Sequence, residues 1–235
     1  MPPEIYALTL TAVSLGFFHT LLGPDHYVPF IAMSKARQWS LLKTLIITWL
    51  CGIGHVLSSV ALGFLGIALG WMVGNLEAFE GARGDLAAWF LTAFGLLYMI
   101  WGIRRAILNR PHTHLHSHGE VVHAHEHDHH DQHAHIHDEP ERPSLTPWIL
   151  FTIFVLGPCE PLIPLLMYPA ASSSLSGTFL VAGFFCLATL VTMTAAVLVG
   201  YFALKPVSIK PLERYSHALA GGALFICGVA IHMGL

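Results

Sequence analysis

His19-Thr20-Leu21-Leu22-Gly23-Pro24-Asp25-His26 is the stretch on which the fold turns. It lies inside an apolar run from Ile5 to Met33 whose only charged or imidazole side chains are those two histidines and Asp25. A run of that length can cross a bilayer core, which takes about 20 apolar residues. At that depth a carboxylate, two imidazoles and a helix-breaking Gly-Pro are each costly, so their coincidence points to function. A second stretch answers the first: Gly157-Pro158-Cys159-Glu160-Pro161 also sits in the middle of an apolar run. Two Gly-Pro breaks, each followed by an acid or a soft ligand, predict one site assembled from two halves of the chain.

Composition supports a membrane reading. The chain is 54% hydrophobic and 11% charged, against about 25% charged residues in soluble domains. Six apolar runs are long enough to span: 5–33, 41–72, 86–107, 146–170, 177–204 and 213–234. None alternates at period two, which disfavours a barrel and predicts an all-α polytopic bundle. The net charge of −3 argues against nucleic acid as a partner, and the bilayer is the expected partner instead. Cys51, Cys159, Cys186 and Cys227 all fall in apolar runs, so a disulfide framework is not expected. The N-terminus lacks a basic segment and reads as the start of a retained span.

Ten of the eleven Lys and Arg cluster at loops one, three and five, with Arg83 alone opposite beside Glu77, Glu80 and Asp85. Basic residues concentrate on the cytoplasmic side, so both termini are expected outside and those loops inside, in a bacterial inner membrane. Loop three, 108–145, is a different material. Histidine fills twelve of the twenty-six positions from His112 to His137, with acids among them, and the loop is expected to be disordered. Cut there, the chain divides into a first three-helix repeat at 1–107 and a second at 146–235. An odd number of spans per half makes the two repeats inverted, with the first helix of each half broken, an arrangement known in secondary transporters.

The donors at the breaks suit a transition metal. His19 and His26 are seven apart, about 10 Å along an unbroken helix, and only a break at Gly23-Pro24 lets them face a common point. Asp25 supplies formal charge, and imidazoles suit nickel, cobalt, zinc, copper or iron more than magnesium or calcium. His55, in Gly52-Ile53-Gly54-His55, adds another imidazole at lipid depth, and Cys159 and Glu160 complete the expected metal-ligand set. Ala188, Thr192, Ala196 and Gly200 form a small-residue row at spacing four, expected to be a packing seam. His217 and His232 lie near span ends and read as structural.

His19-x-x-x-Gly23-Pro24-Asp25-His26, the histidine-rich loop between the third and fourth spans and Gly157-Pro158-Cys159-Glu160-Pro161 resemble the nickel/cobalt transporter superfamily, in its branch of urease-accessory-type membrane proteins. The resemblance implies that His19, Asp25 and His26 are metal ligands and that Ni²⁺ or Co²⁺ is the substrate, with Zn²⁺ admitted by the same donors. The expected function is secondary transport of that ion by alternating access at the Gly-Pro breaks, with protons as a coupling ion for export, and without enzymatic activity. The alternative is an intramembrane zinc-dependent hydrolase using His19, Asp25, His26 and His55, or a thiol-redox protein using Cys159. The chain lacks a His-Glu-x-x-His motif, which counts against the hydrolase. No second cysteine lies near Cys159 in sequence, which counts against thiol exchange.

Overall fold

The computed structural model describes residues 3–70, 73–108, 112–118, 121–127, 145–159, 161–171, 175–206 and 213–234. The run from Ile5 to Met33 is helix interrupted once. Helix α1 (Pro3–Leu22) stops at Gly23, a single 3₁₀ turn covers Pro24–His26, and α2 (Val28–Ala36) resumes. Pro24 lacks an N–H for the Thr20 carbonyl, so the α-ladder fails there. Pro29 then sits in the first turn of α2, where a missing N–H does no harm.

Ser40 caps α3 (Leu41–Ala68) by accepting from the Lys43 N–H at 3.3 Å. Helix α4 (Val73–Leu108) follows. The fourth run is interrupted like the first, with α5 (Thr146–Leu156) and α6 (Leu162–Ala171) flanking the Gly-Pro-Cys break. Helices α7 (Leu175–Leu204) and α8 (Ser216–His232) complete the bundle.

α1, α3, α4 and α7 are long and apolar enough to cross a membrane, while α5 and α8 are shorter apolar helices. Leu10, Trp49, Leu57, Trp89, Leu97, Val191 and Ile226 stand exposed on the outer faces of these helices. An apolar exterior of this kind belongs against lipid. The protein is a helical, polytopic membrane protein.

α4 begins well before the apolar run that predicted it at 86. Glu77, Glu80, Arg83 and Asp85 truncate the hydropathy signal, yet they continue a helix that points Leu76, Glu80 and Gly84 inward and leaves Glu77 and Asp85 exposed. In the histidine-rich segment, expected to be disordered, β1 (His112–His118) pairs antiparallel with β2 (Val121–His127). The register sets His112 opposite His127, His114 opposite His125 and His116 opposite His123. Residues 109–111, 119–120 and 128–144 lie outside the described residues.

Packing joins the two halves. α1 lies along α7, α3 along α5 and α7, and α4 along α8. The α1–α7 contact is made through the small-residue row: a Cβ on Gly16 would stand 3.0 Å from the Phe185 carbonyl oxygen and 3.2 Å from Ala188. Farther along that row, Gly200 lies against Ile31.

The α4–α8 contact is backbone against backbone. A Cβ on Gly95 would strike the main chain at Phe225, on Gly102 that at Ala218, on Gly221 that at Met99, and on Gly228 that at Thr92. Glycines spaced by seven on both helices let the axes approach closely, where van der Waals packing replaces the hydrophobic drive that lipid cannot supply. Gly95→Val is therefore expected to destabilise the fold by about 2 kcal/mol or more. Gly222→Ala, whose added carbon meets only Met99 Sδ at 3.6 Å, should be near neutral. Unfolding in graded SDS mixtures measures both.

Candidate functional site

The break at Gly23-Pro24 does what the sevenfold spacing needs. His26, carried on the 3₁₀ turn, folds back toward His19, and their ring centroids are 4.7 Å apart and nearly perpendicular. His55 comes in from α3 with its ring centroid 5.2 Å from that of His26. One ring nitrogen from each of His19, His26 and His55 lies within 4.8 Å of the other two. Asp25 lies beside them, its Oδ1 3.2 Å from His26 Nδ1. The four side chains line a cavity of about 490 Å³ that Gly157 and Pro158 from the second break also line.

Hydrogen bonds orient these rings. His26 Nδ1 has two acceptors, the Gly23 carbonyl and Asp25 Oδ1, each at 3.2 Å. His55 Nδ1 lies 3.2 Å from the Phe154 carbonyl. Pro158 cannot give that carbonyl its α-helical bond; the Gly157 N–H reaches it at 3.1 Å and the His55 N–H adds a second donor. In both rings the Nδ1 faces oxygens and carries the proton, which leaves Nε2 with a bare lone pair. His19, His26 and His55 each have a buried Nε2 with no hydrogen-bond partner. A ring fixed through one nitrogen to a carboxylate or carbonyl, with the other free, is the usual posture of a metal-ligating histidine.

The glycines of both breaks are demanded by this crowding. A Cβ on Gly23 would lie 2.7 Å from His26 Nδ1 and 2.9 Å from Asp25 Oδ1, and one on Gly157 would lie 3.2 Å from His55 Nδ1. Gly84 of α4 would place a Cβ 2.7 Å from Pro158 Cγ, so its bare backbone admits the proline ring.

Of the six residues expected to bind metal, His19, Asp25, His26 and His55 are brought together. Cys159 is not among them: it is fully buried in a separate apolar cluster with Val56, Leu162 and Phe185, against which Cys186 of α7 also packs. Glu160 lies outside the described residues. Thr189 is buried on α7 beside Gly16, and Thr192 donates to the Ala188 carbonyl at 2.7 Å.

Sequence reasoning missed a pair on α4. Glu80 is fully buried and Arg83 half-buried, and they pair at 3.3 Å. Glu80 Oε2 accepts the Cys159 N–H at 3.2 Å, while Arg83 Nη2 donates to the Gly157 carbonyl at 2.8 Å and to Ser59 Oγ at 2.7 Å. Their i, i+3 spacing directly before Gly84 was the available signal, masked by the exposed acids at 77 and 85.

Residues 26–230 match the family described as cytochrome C biogenesis protein transmembrane region. The chain belongs to that family. The match runs from the end of the first break into the last turns of α8, leaving out α1, and overturns the resemblance to the nickel/cobalt transporter superfamily, which rested on short motifs around the breaks. The expectation of Ni²⁺ or Co²⁺ as transported substrate, with Zn²⁺ beside them, falls with it. In this family member, the match takes in His26, His55, Cys159 and Cys186, and begins just after His19 and Asp25. Searches returned no similar curated protein and no similar solved structure.

The His55–Phe154 bond yields a direct test. His55→Leu keeps bulk but removes the side-chain donor to the Phe154 carbonyl, which retains the Gly157 N–H at 3.1 Å, an expected loss of about 0.5–1.5 kcal/mol. His55→Gln, which can still donate, should recover part of it. Unfolding of both variants in SDS checks the difference.

Proposed function

We propose that this protein is a membrane thiol-redox carrier in which Cys159 is the reacting thiol and Cys186 its partner. Family membership carries the reading: the matched family is named for cytochrome c biogenesis, and the second Gly-Pro break places a cysteine at its turn. Cys186 of α7 packs against the same buried cluster as Cys159, a long-range approach that sequence spacing hid. Both are free thiols.

The chemistry is thiol–disulfide exchange. The Cys159 thiolate attacks one sulfur of a disulfide on a partner protein, and the partner's other sulfur leaves and takes up a proton. Cys186 gives up its own proton and attacks the Cys159 sulfur of the mixed disulfide. The internal Cys159–Cys186 bond forms, and the partner's second sulfur is released as a thiol. Two electrons and two protons thereby pass to the partner, and a dithiol donor reloads the pair by the reverse steps.

The wider architecture we read as six spans in two inverted three-helix halves, with loops one, three and five cytoplasmic. What supports the repeat is the exchange pattern of the packing: α1 with α7, α3 with α5, and α4 with α8 pair first with second, second with first, and third with third. The basic residues support the orientation.

Cys186→Ser should trap the mixed disulfide, because Cys159 can then react but the product has no resolving thiol. The expected result is a partner adduct on non-reducing gels that vanishes in dithiothreitol and in the Cys159→Ser/Cys186→Ser double variant. If Cys159 forms no disulfide in wild type or in Cys186→Ser under oxidation, the redox reading is lost.

A second reading is favoured by the three orphaned Nε2 atoms. His19, His26, His55 and Asp25 would hold a resident transition-metal ion, with three imidazoles and one carboxylate as donors, a set that copper or iron accepts. Metal–nitrogen bonds of about 2.0–2.1 Å place three ligand nitrogens closer together than the 4.8 Å seen here, so the rings would draw in on binding. Copper(II) titration of the purified full chain, read by the nitrogen hyperfine pattern in electron paramagnetic resonance, tests it. The His19→Ala/His26→Ala/His55→Ala variant should lose one tight equivalent while the histidine-rich segment keeps its own. Equal stoichiometry in the two proteins would dispose of this reading.

A further inference from the structure

We infer that Glu80 and Arg83 of α4 form a clasp that holds the Gly157–Cys159 break closed and controls access to the Cys159 sulfur. The inference rests on the assignment of Cys159 as the reacting thiol, but the clasp itself stands on geometry. Pro158 interrupts the helix ladder, and the peptide groups on either side of it need partners at membrane depth. Both partners come from one ion pair. Arg83 Nη2 donates to the Gly157 carbonyl at 2.8 Å, and Glu80 Oε2 accepts the Cys159 N–H at 3.2 Å, while Arg83 and Glu80 pair at 3.3 Å.

Helix α3 braces the pair. Arg83 Nη2 reaches Ser59 Oγ at 2.7 Å and Ser58 Oγ at 3.2 Å, and the Ser59 hydroxyl donates to Glu80 Oε2 at 3.4 Å. Gly84, the next residue on α4, seats the Pro158 ring on bare backbone. Residues 80, 83 and 84 thus form one socket, and the break is its plug.

A neutral donor and acceptor would satisfy the same two backbone groups with less desolvation. A buried ion pair instead depends on both members at once, since removing one leaves the other charge uncompensated in a poorly polar medium. That all-or-none character suits a catch. With the clasp intact, Cys159 is fully buried. With the clasp parted, the Gly157 carbonyl and Cys159 N–H lose their partners together, and the break swings out with the thiol. Glu80 and Arg83 are positioning residues for the sulfur chemistry.

The test is the rate at which N-ethylmaleimide alkylates Cys159 in the full chain in membranes, followed by mass spectrometry. Cys51, buried in the other core cluster, reports general loosening. Arg83→Met and Glu80→Gln should each raise Cys159 alkylation at least tenfold with Cys51 unchanged, and Arg83→Lys should stay within threefold of wild type. Ser59→Ala, which removes only a brace, should give a smaller rise confined to Cys159 and serves if the charge variants fail to fold. An equal rise at Cys51 and Cys159 would mean that the pair only supports the fold, and unchanged Cys159 reactivity would mean that it holds nothing shut. Both outcomes overturn the clasp. The assay reads opening and not electron transfer, so opening without any mixed disulfide would leave the clasp standing and remove the redox assignment alone.

Discussion

Everything distinctive in this bundle follows from one requirement: a backbone hydrogen bond broken in lipid must be replaced from within the protein. In water a freed carbonyl finds solvent and the net loss is about 0.5–1.5 kcal/mol. In the hydrocarbon core the same loss is several kcal/mol, and irregular backbone survives only where it is buried or lines a cavity. Two Gly-Pro breaks therefore recruit four polar side chains. The His26 and His55 rings add a second bond to the Gly23 and Phe154 carbonyls, which keep one backbone donor each, Arg83 serves the Gly157 carbonyl, and Glu80 takes the Cys159 N–H. The unpartnered Nε2 atoms of His26 and His55 are the free ends of rings already bonded to the backbone. A histidine committed through Nδ1 to a carbonyl has its Nε2 aimed elsewhere, and at these breaks elsewhere is a shared cavity.

The helical layout was legible because hydropathy is a strong signal over twenty residues. The interruptions were legible because proline cannot donate, so the runs at 5–33 and 146–170 divide where Pro24 and Pro158 stand. What remained hidden was the side on which a charge falls. Glu80 and Glu77 are the same residue type three apart, yet one is fully buried in the socket and the other exposed. Composition adds their charges together and places both in a loop. Only the helical phase, fixed by the packing of Leu76 and Gly84, separates them. His55 was legible as an imbalance, a polar ring in an apolar helix, but its partner is a carbonyl 99 residues away whose α-helical bond Pro158 removes.

The short motif around His19 and His26 led to the wrong family for a related reason. Gly-Pro beside polar residues is a solution to the problem of breaking a membrane helix, and unrelated chemistry can reuse it. Residues 26–230, by contrast, carry the packing that the solution requires: the glycine seam of α4 and α8, the socket at Gly84 and the small faces of α7. A family match over that length samples constraints spread through the bundle. Four of the expected site residues nevertheless converge, because the spacing argument for His19, Asp25 and His26 was about geometry and did not depend on the family.

The two breaks are alike in backbone and different in chemistry. Each has Gly-Pro followed by one reactive group, but the first offers Asp25 and the second Cys159. The turn of the first break carries no thiol, whereas Cys159 of the second lies in a cluster against which Cys186 of α7 also packs. Two sets of side chains meet the same turn: His55 contacts it at Phe154 and Gly157, while Glu80 and Arg83 contact it at Gly157 and Cys159. Gly157 is common to both. A movement of the second break that brings the Cys159 sulfur out of its cluster would also shift Gly157 and Pro158, which line the cavity with His19, His26 and His55.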